Sequence, residues 1–140
     1  MTKHVLITEK SEEILSSALW ALSFIADSEG TQLDDKLLIG LVIQYIESNN
    51  TDFKIPAIRT IGSICAGDIE AVNKVIEAGA LTSLATSLQL EKEYSILVEL
   101  CWAISNISLG PPEHIDKLIK AKIIHRLIEI IFSYNDFRVV

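Results

Sequence analysis

The stretch VELCWAISNISLG, Val98–Gly110, decides the fold. Taken with Leu97, its apolar positions Leu97, Leu100, Cys101, Ile104 and Ile107 recur at spacings of three and four, which is one face of an α-helix. A second stripe runs along the same helix. Ser95, Glu99, Trp102 and Asn106 are spaced at four, three and four, so they also share a face. An aromatic ring, a carboxylate and a carboxamide therefore sit together where the core does not use them. Gly110 marks the helix end, and Pro112 suits the first turn of the next helix, where its missing N–H is not needed.

Outward from this stretch the sequence repeats itself. IPAIRTIGSICAG, Ile55–Gly67, lies under it at an offset of 43, with Ile61 on Ile104, Ile64 on Ile107 and Gly67 on Gly110. The same offset carries Val75–Ala78 onto Leu118–Ala121, and Gly79–Leu81 onto Lys122–Ile124. A third copy lies upstream, where Ala18–Ile25 (ALWALSFI) aligns with Leu100–Ile107 (LCWAISNI). A helical period of 39–43 residues is the signature of a HEAT or armadillo array. The expected fold is all-α, an armadillo-type right-handed α-solenoid of about three three-helix repeats. It forms a single array over residues 1–140, with units of approximately 1–26, 27–67, 68–110 and an incomplete 111–140.

Short first helices are expected over Ile69–Ala78 and Glu113–Ala121, and second helices over Leu81–Leu90 and Ile123–Ser133. Long third helices are expected over Ser11–Ala26, Phe53–Ala66 and Glu93–Ser108. The linker after Trp20 is shorter than the others, so the first helix around Thr31–Lys36 reduces to little more than a turn. Phe137-Arg138-Val139-Val140 reads as the opening of a further third helix. Solenoid ends are normally polar caps, so this apolar terminus is expected to belong to a longer array.

Composition narrows the function. The 140 residues are 49% hydrophobic and 22% charged, with a net charge of −7, a pattern that argues against disorder and against binding phosphate-rich nucleic acid. No stretch reaches the roughly 18 apolar residues of a membrane span, and MTKHVLITEK lacks the apolar run of a signal peptide. Cys65 and Cys101 lie in apolar helical stretches and read as buried structural thiols of a reducing compartment. His4, His114 and His125 are isolated and read as exposed or capping residues; neither a metal nor any other cofactor is implied. No phosphate-loop, zinc-protease or nucleophile-elbow motif occurs, so no catalytic residue is assigned and an enzyme is not expected.

The stripe at Trp102 has a specific chemistry. Asn106 offers two donors and an acceptor, enough to bridge the N–H and C=O of an extended peptide. Trp102 offers an apolar shelf for a lysine stem together with cation–π attraction, and Glu99, one turn earlier, can receive the ammonium. The same positions are Glu13, Ser17, Trp20 and Phe24 in the upstream copy, and Asp52, Pro56, Arg59 and Ser63 in the middle one. The competing reading makes Trp20 and Trp102 ordinary core residues and Asn106 a surface amide. A groove tryptophan should be removable at little expense in stability.

ELCWAISNISLG closely resembles the third helix of armadillo repeats in importin-alpha, the nuclear-localisation-signal receptor family. VIEAGAL at Val75–Leu81 is also similar to that family. WALSF at Trp20–Phe24 with Asp27, then PAIRTIGS at Pro56–Ser63, then WAISN at Trp102–Asn106, follow the family order of repeats five, six and seven, with the start of eight. The resemblance covers Glu13–Val140. It implies a nuclear-import adaptor that holds lysine- and arginine-rich signals in extended form, and residence in cytoplasm and nucleus. It further implies that Arg59, Glu99, Trp102 and Asn106 are peptide-binding residues of the minor site, with Ser63 among the peptide-binding positions, and that Trp20, Glu13 and Asp27 line the groove between this site and a major site on earlier repeats. Ser63 stands where the family usually has asparagine and Ser17 where an acid is common; both weaken the groove. The basic segment that binds importin-beta in the family has no counterpart in this sequence, so that partner is reached only through a segment outside it. The rival readings are an armadillo or HEAT scaffold unconnected with nuclear import, and self-association through exposed repeat ends.

Overall fold

The computed structural model describes residues 2–28, 33 and 35–135, with side chains from Lys10 onward. Among these residues every regular element is an α-helix: α1 (Thr2–Ala26), α2 (Lys36–Ile43), α3 (Thr51–Cys65), α4 (Ile69–Glu77), α5 (Ala80–Leu90), α6 (Tyr94–Ser108), α7 (Pro112–Lys120) and α8 (Ile123–Asn135). The order is that of an α-solenoid. The three long helices lie side by side, α1 on α3 and α3 on α6, and α5 packs on α8 in the layer beside them.

Local chemistry sets the helix boundaries. The Asp35 carboxylate accepts from the Leu37 and Leu38 N–H groups and starts α2, while Asn50 and Asp68 start α3 and α4 in the same way. Gly79, at φ 93°, turns the chain from α4 into α5 in the left-handed region. At the equivalent position in the next unit Lys122 adopts φ 61°, which is strained for a residue with a Cβ.

Helix α3 carries Pro56 well inside it. A proline there removes the N–H that would bond the carbonyl four residues back, which is that of Asp52. The Ser16 hydroxyl of α1 donates to this carbonyl at 3.3 Å, so a neighbouring helix supplies the missing donor. The core runs continuously through the array, with Ile39, Val42 and Ile46 leading to Ile58 and Ile61, then to Leu84, Leu88, Leu100 and Ile107, all fully or almost fully buried. Cys65 lies within it, and burial pushes its thiol up to about 12. Cys101, expected to be buried, is only half-buried; burial still leaves its thiol above the ordinary value, against the opposing pull of the nearby Arg126.

Polar ties join successive units. Arg126 of α8 donates to the carbonyls of Leu88 and Glu91, both at 2.8 Å, and so satisfies the exposed end of α5. Lys54 of α3 pairs with Glu91 at 3.0 Å, both side chains being only 12% exposed. Burial alone would raise the Glu91 carboxyl. The Lys54 hydrogen bond and charge, with the Lys92 and Glu93 backbone N–H groups, outweigh burial and leave it below the ordinary carboxylate range.

Several expectations need correction. Helix α1 begins at Thr2, not Ser11, and α2 is a helix that the periodicity did not delimit. Half of the turn expected around Thr31–Lys36 falls outside the described residues, and its last residue, Lys36, already opens α2. The Phe137–Val140 helix start lies outside them as well. His114 is neither exposed nor capping. It is 3% exposed, on the inner face of α7 with Leu118 one turn on, and its Nε2 lies 2.6 Å from Asn73 Oδ1 of α4. His125 is exposed, as expected; the side chain of His4 lies outside the described residues.

Candidate peptide-binding face

Helices α1, α3 and α6 present their second stripes on one side of the array. The core stripe of α6 behaves as its spacing requires except at Cys101, which is half-buried. Leu97, Leu100, Ile104 and Ile107 are buried, whereas Ser95, Glu99, Trp102 and Asn106 are exposed or half-buried. In the middle copy the correspondence is incomplete, because Pro56 is buried and does not reach the face.

An open recess of about 140 Å³ lies where the three helices meet, lined by Ser23, Phe24, Asp27, Arg59, Ser63, Glu99 and Trp102. It brings together five of the expected site residues: Asp27, Arg59, Ser63, Glu99 and Trp102. Trp20 joins through Arg59, whose guanidinium carbon lies 5.7 Å from the centre of the indole. Trp20 in turn stacks on Phe24 at 5.9 Å with a 30° tilt. The Arg59 Nε also pairs with Glu99 Oε1 at 3.6 Å. Trp20 is half-buried and Trp102 is 38% exposed, so neither is closed inside the core.

Two expected residues lie elsewhere. Glu13 lines a separate recess of about 290 Å³ with Glu12, Ser17 and Asp52, two helical turns upstream of Trp20. Asn106 borders a small recess of about 130 Å³ beside Cys65 and His114, and its Nδ2 donates to the Gly62 carbonyl of α3 at 2.9 Å. One amide hydrogen is thereby committed within the protein. The Oδ1 acceptor and the second hydrogen are what Asn106 has left for a ligand.

Gly62 is the residue that sequence reasoning missed. An added Cβ there would lie 2.5 Å from Trp102 Cζ3 and 2.8 Å from Cε3. The Cε3 and Cζ3 atoms of the indole thus pack against bare backbone of α3, and truncating the ring removes packing as well as a binding surface. The expectation that Trp102 is removable at little expense in stability is therefore corrected. The signal was available: a glycine in mid-helix loses about 1 kcal/mol relative to alanine and needs a compensating contact. The serine three residues after each tryptophan was a second signal. The Ser23 and Ser105 hydroxyls donate to the Trp20 and Trp102 carbonyls, both at 2.7 Å, so both helices carry the same local brace.

Among the described residues no group of three or more His, Cys, Asp or Glu side chains is placed to hold a metal ion. No helix described is long and apolar enough to cross a membrane.

No family model matches the chain. It is similar to importin subunit alpha-1a of Oryza sativa subsp. japonica, 34% identical over 126 residues, which is 88% of this chain and 24% of that protein. It is also similar to importin subunit alpha-4 of Arabidopsis thaliana, 33% identical over 129 residues, 90% of this chain and 24% of that protein. The chain thus spans about a quarter of the length of these relatives. Among solved structures it resembles the designed armadillo repeat protein YIII(Dq)4CqI with a TM-score of 0.77 and 31% identity, over 86% of this chain and 51% of that one. It also resembles the designed armadillo repeat protein YIII(Dq.V1)4CPAF in complex with peptide (KR)4, with a TM-score of 0.74 and 28% identity, over the same 86% and 51%.

Proposed function

The chain is a partial armadillo-repeat array homologous to importin alpha subunits over most of its length, and on that premise we propose that it binds lysine- and arginine-rich peptides in extended form across the face of α1, α3 and α6. The observation that carries this reading is the recess in which the exposed Trp102 ring stands beside the carboxylates of Glu99 and Asp27. A basic side chain laid there would find an apolar shelf and negative charge together. The peptide-bound relative in the same fold carries a (KR)4 ligand, which supports a basic partner of this kind. Within the proposal, Trp102 and Asn106 contact the peptide, and Glu99, paired with Arg59, adds negative charge beside them. Arg59, Ser63 and Asp27 form the recess wall, Trp20 extends it, and Glu13 adds negative charge upstream. The segment corresponds in this reading to repeats five to seven and the start of eight, the minor-site region of a nuclear-import adaptor resident in cytoplasm and nucleus.

The magnitude is modest. One tryptophan socket supplies about 1–2 kcal/mol of cation–π and stem packing, and backbone hydrogen bonds to Asn106 add about 1–2 kcal/mol. Association costs on the order of 4–15 kcal/mol. The described segment should therefore bind (KR)4 with a Kd of roughly millimolar or weaker, tightening as salt is lowered. An NMR titration of (KR)4 against the wild type and Trp102→Ala tests this, with an (EA)4 peptide as control. Shift changes confined to the α1, α3 and α6 face and lost in Trp102→Ala are expected. Equal binding of the acidic peptide, or indifference to Trp102→Ala, would favour a scaffold unconnected with nuclear import.

A further inference from the structure

The recess is not vacant of cations, because the chain supplies one. The Arg59 guanidinium lies over the Trp20 ring at 5.7 Å and against Glu99 at 3.6 Å. An aromatic shelf with a carboxylate beside it is what a ligand lysine or arginine would seek on this face. Trp102, on the other wall of the same recess, has no such cation over it among the described residues and remains 38% exposed.

We propose that Arg59 is a built-in occupant of the cation subsite formed by Trp20 and Glu99, so that it excludes a ligand cation there and directs basic side chains to Trp102. This deepens the peptide-binding reading and rests on it. Arg59 is then a specificity determinant acting by competition. It fixes the register of an extended ligand by closing one of two neighbouring shelves, and a peptide residue crossing α3 meets a positive charge. The Arg59 side chain is itself only 41% exposed, while that of Glu99 is 22% exposed. The pair is therefore held against the helices, and a ligand cation would have to displace it.

The test is a (KR)4 titration of the full chain with wild type, Arg59→Gln, and Arg59→Gln combined with Trp20→Leu. Freeing the half-buried Trp20 ring and one carboxylate corresponds to a gain of about three- to thirtyfold in affinity for Arg59→Gln. The gain should vanish when Trp20→Leu is added. A gain that survives Trp20→Leu would be simple relief of charge repulsion and would overturn the proposal. No gain in Arg59→Gln, with wild-type binding still dependent on Trp102, would overturn it and leave the peptide-binding reading intact. No binding by any variant would overturn both. Should Trp20→Leu fail to fold, a Trp102→Phe background leaves Trp20 as the single emitter. Its fluorescence should respond to (KR)4 with Gln at 59 and not with Arg at 59; an equal response in both would refute internal occupancy.

Discussion

Gly62→Ala and Gly40→Ala are the same chemical change in two helices, and the structure assigns them opposite signs. In an unencumbered helix the added methyl stabilises by about 0.8–1.0 kcal/mol. At Gly40 in α2 an added Cβ meets none of the described residues within 4 Å, so that gain should be realised. At Gly62 the Cβ would lie 2.5 and 2.8 Å from two ring carbons of Trp102 and 3.3 Å from Ala103 Cβ. Carbon atoms pack at about 3.5–4.0 Å, so the indole has to retreat by about 1 Å. Overpacking of this kind costs about 1–3 kcal/mol. Separation of α3 from α6 would also stretch the 2.9 Å bond from Asn106 to the Gly62 carbonyl, a further 0.5–1.5 kcal/mol or so. After the propensity gain, a net destabilisation of about 1–3 kcal/mol remains. For a chain of this size that corresponds to a fall in Tm of roughly 3–10 °C, against a rise of about 2–4 °C for Gly40→Ala. Circular dichroism melts of the two variants give the comparison, and Trp emission reports whether the indole has moved outward. If Gly62→Ala raised Tm as Gly40→Ala does, with emission unchanged, the packing of Trp102 on α3 would be refuted.

Three further outcomes follow from the same geometry. Lys122→Gly should stabilise by about 0.5–1 kcal/mol, because glycine carries no penalty at φ 61°; an unchanged or lower Tm would show that Lys122 is not held in the left-handed region. Ser16→Ala should destabilise by about 0.5–1.5 kcal/mol in the wild type but much less beside Pro56→Ala, which restores an N–H for the Asp52 carbonyl. Additive effects in that double-mutant cycle would show that the Ser16 hydroxyl does not serve that carbonyl. Glu91 has a carboxyl held below its unfolded value, so the unfolded state takes up its proton first on acidification. Its contribution is complete above the unfolded value of about 4.3 and is lost as pH falls through the lower folded value. Urea melts at descending pH should show this loss, and Lys54→Met should reduce it; an unaltered acid profile in that variant would argue against the Lys54–Glu91 pair.

Much of this architecture is readable along the chain. A helix shows its buried face through spacings of three and four, and neighbouring residues reveal that pattern without reference to anything distant. The offset of 43 then identifies equivalent helices, so α3 to α8 fall close to where periodicity puts them. It even equates Gly79 with Lys122, the two residues in the left-handed region. Helix α2 escaped because its apolar run has no counterpart of known boundary upstream, and its start depends on a cap at Asp35. His114 shares the buried face of α7 with Leu118, a spacing readable along the chain, but its polar partner Asn73 comes from one unit earlier and is not.

From residue order alone it follows that these helices repeat, which side of each is apolar, and that tryptophans, acids and an amide share the opposite side. How those side chains are distributed depends on the packing of helix on helix. Arg59 lies over Trp20 and against Glu99, Trp102 rests on Gly62, and Asn106 spends a donor on α3, while Glu13 stands apart. Periodicity fixes the direction in which a side chain leaves its own helix. Its partners come from helices about 40 residues away, and the lateral packing of one unit on the next selects among them.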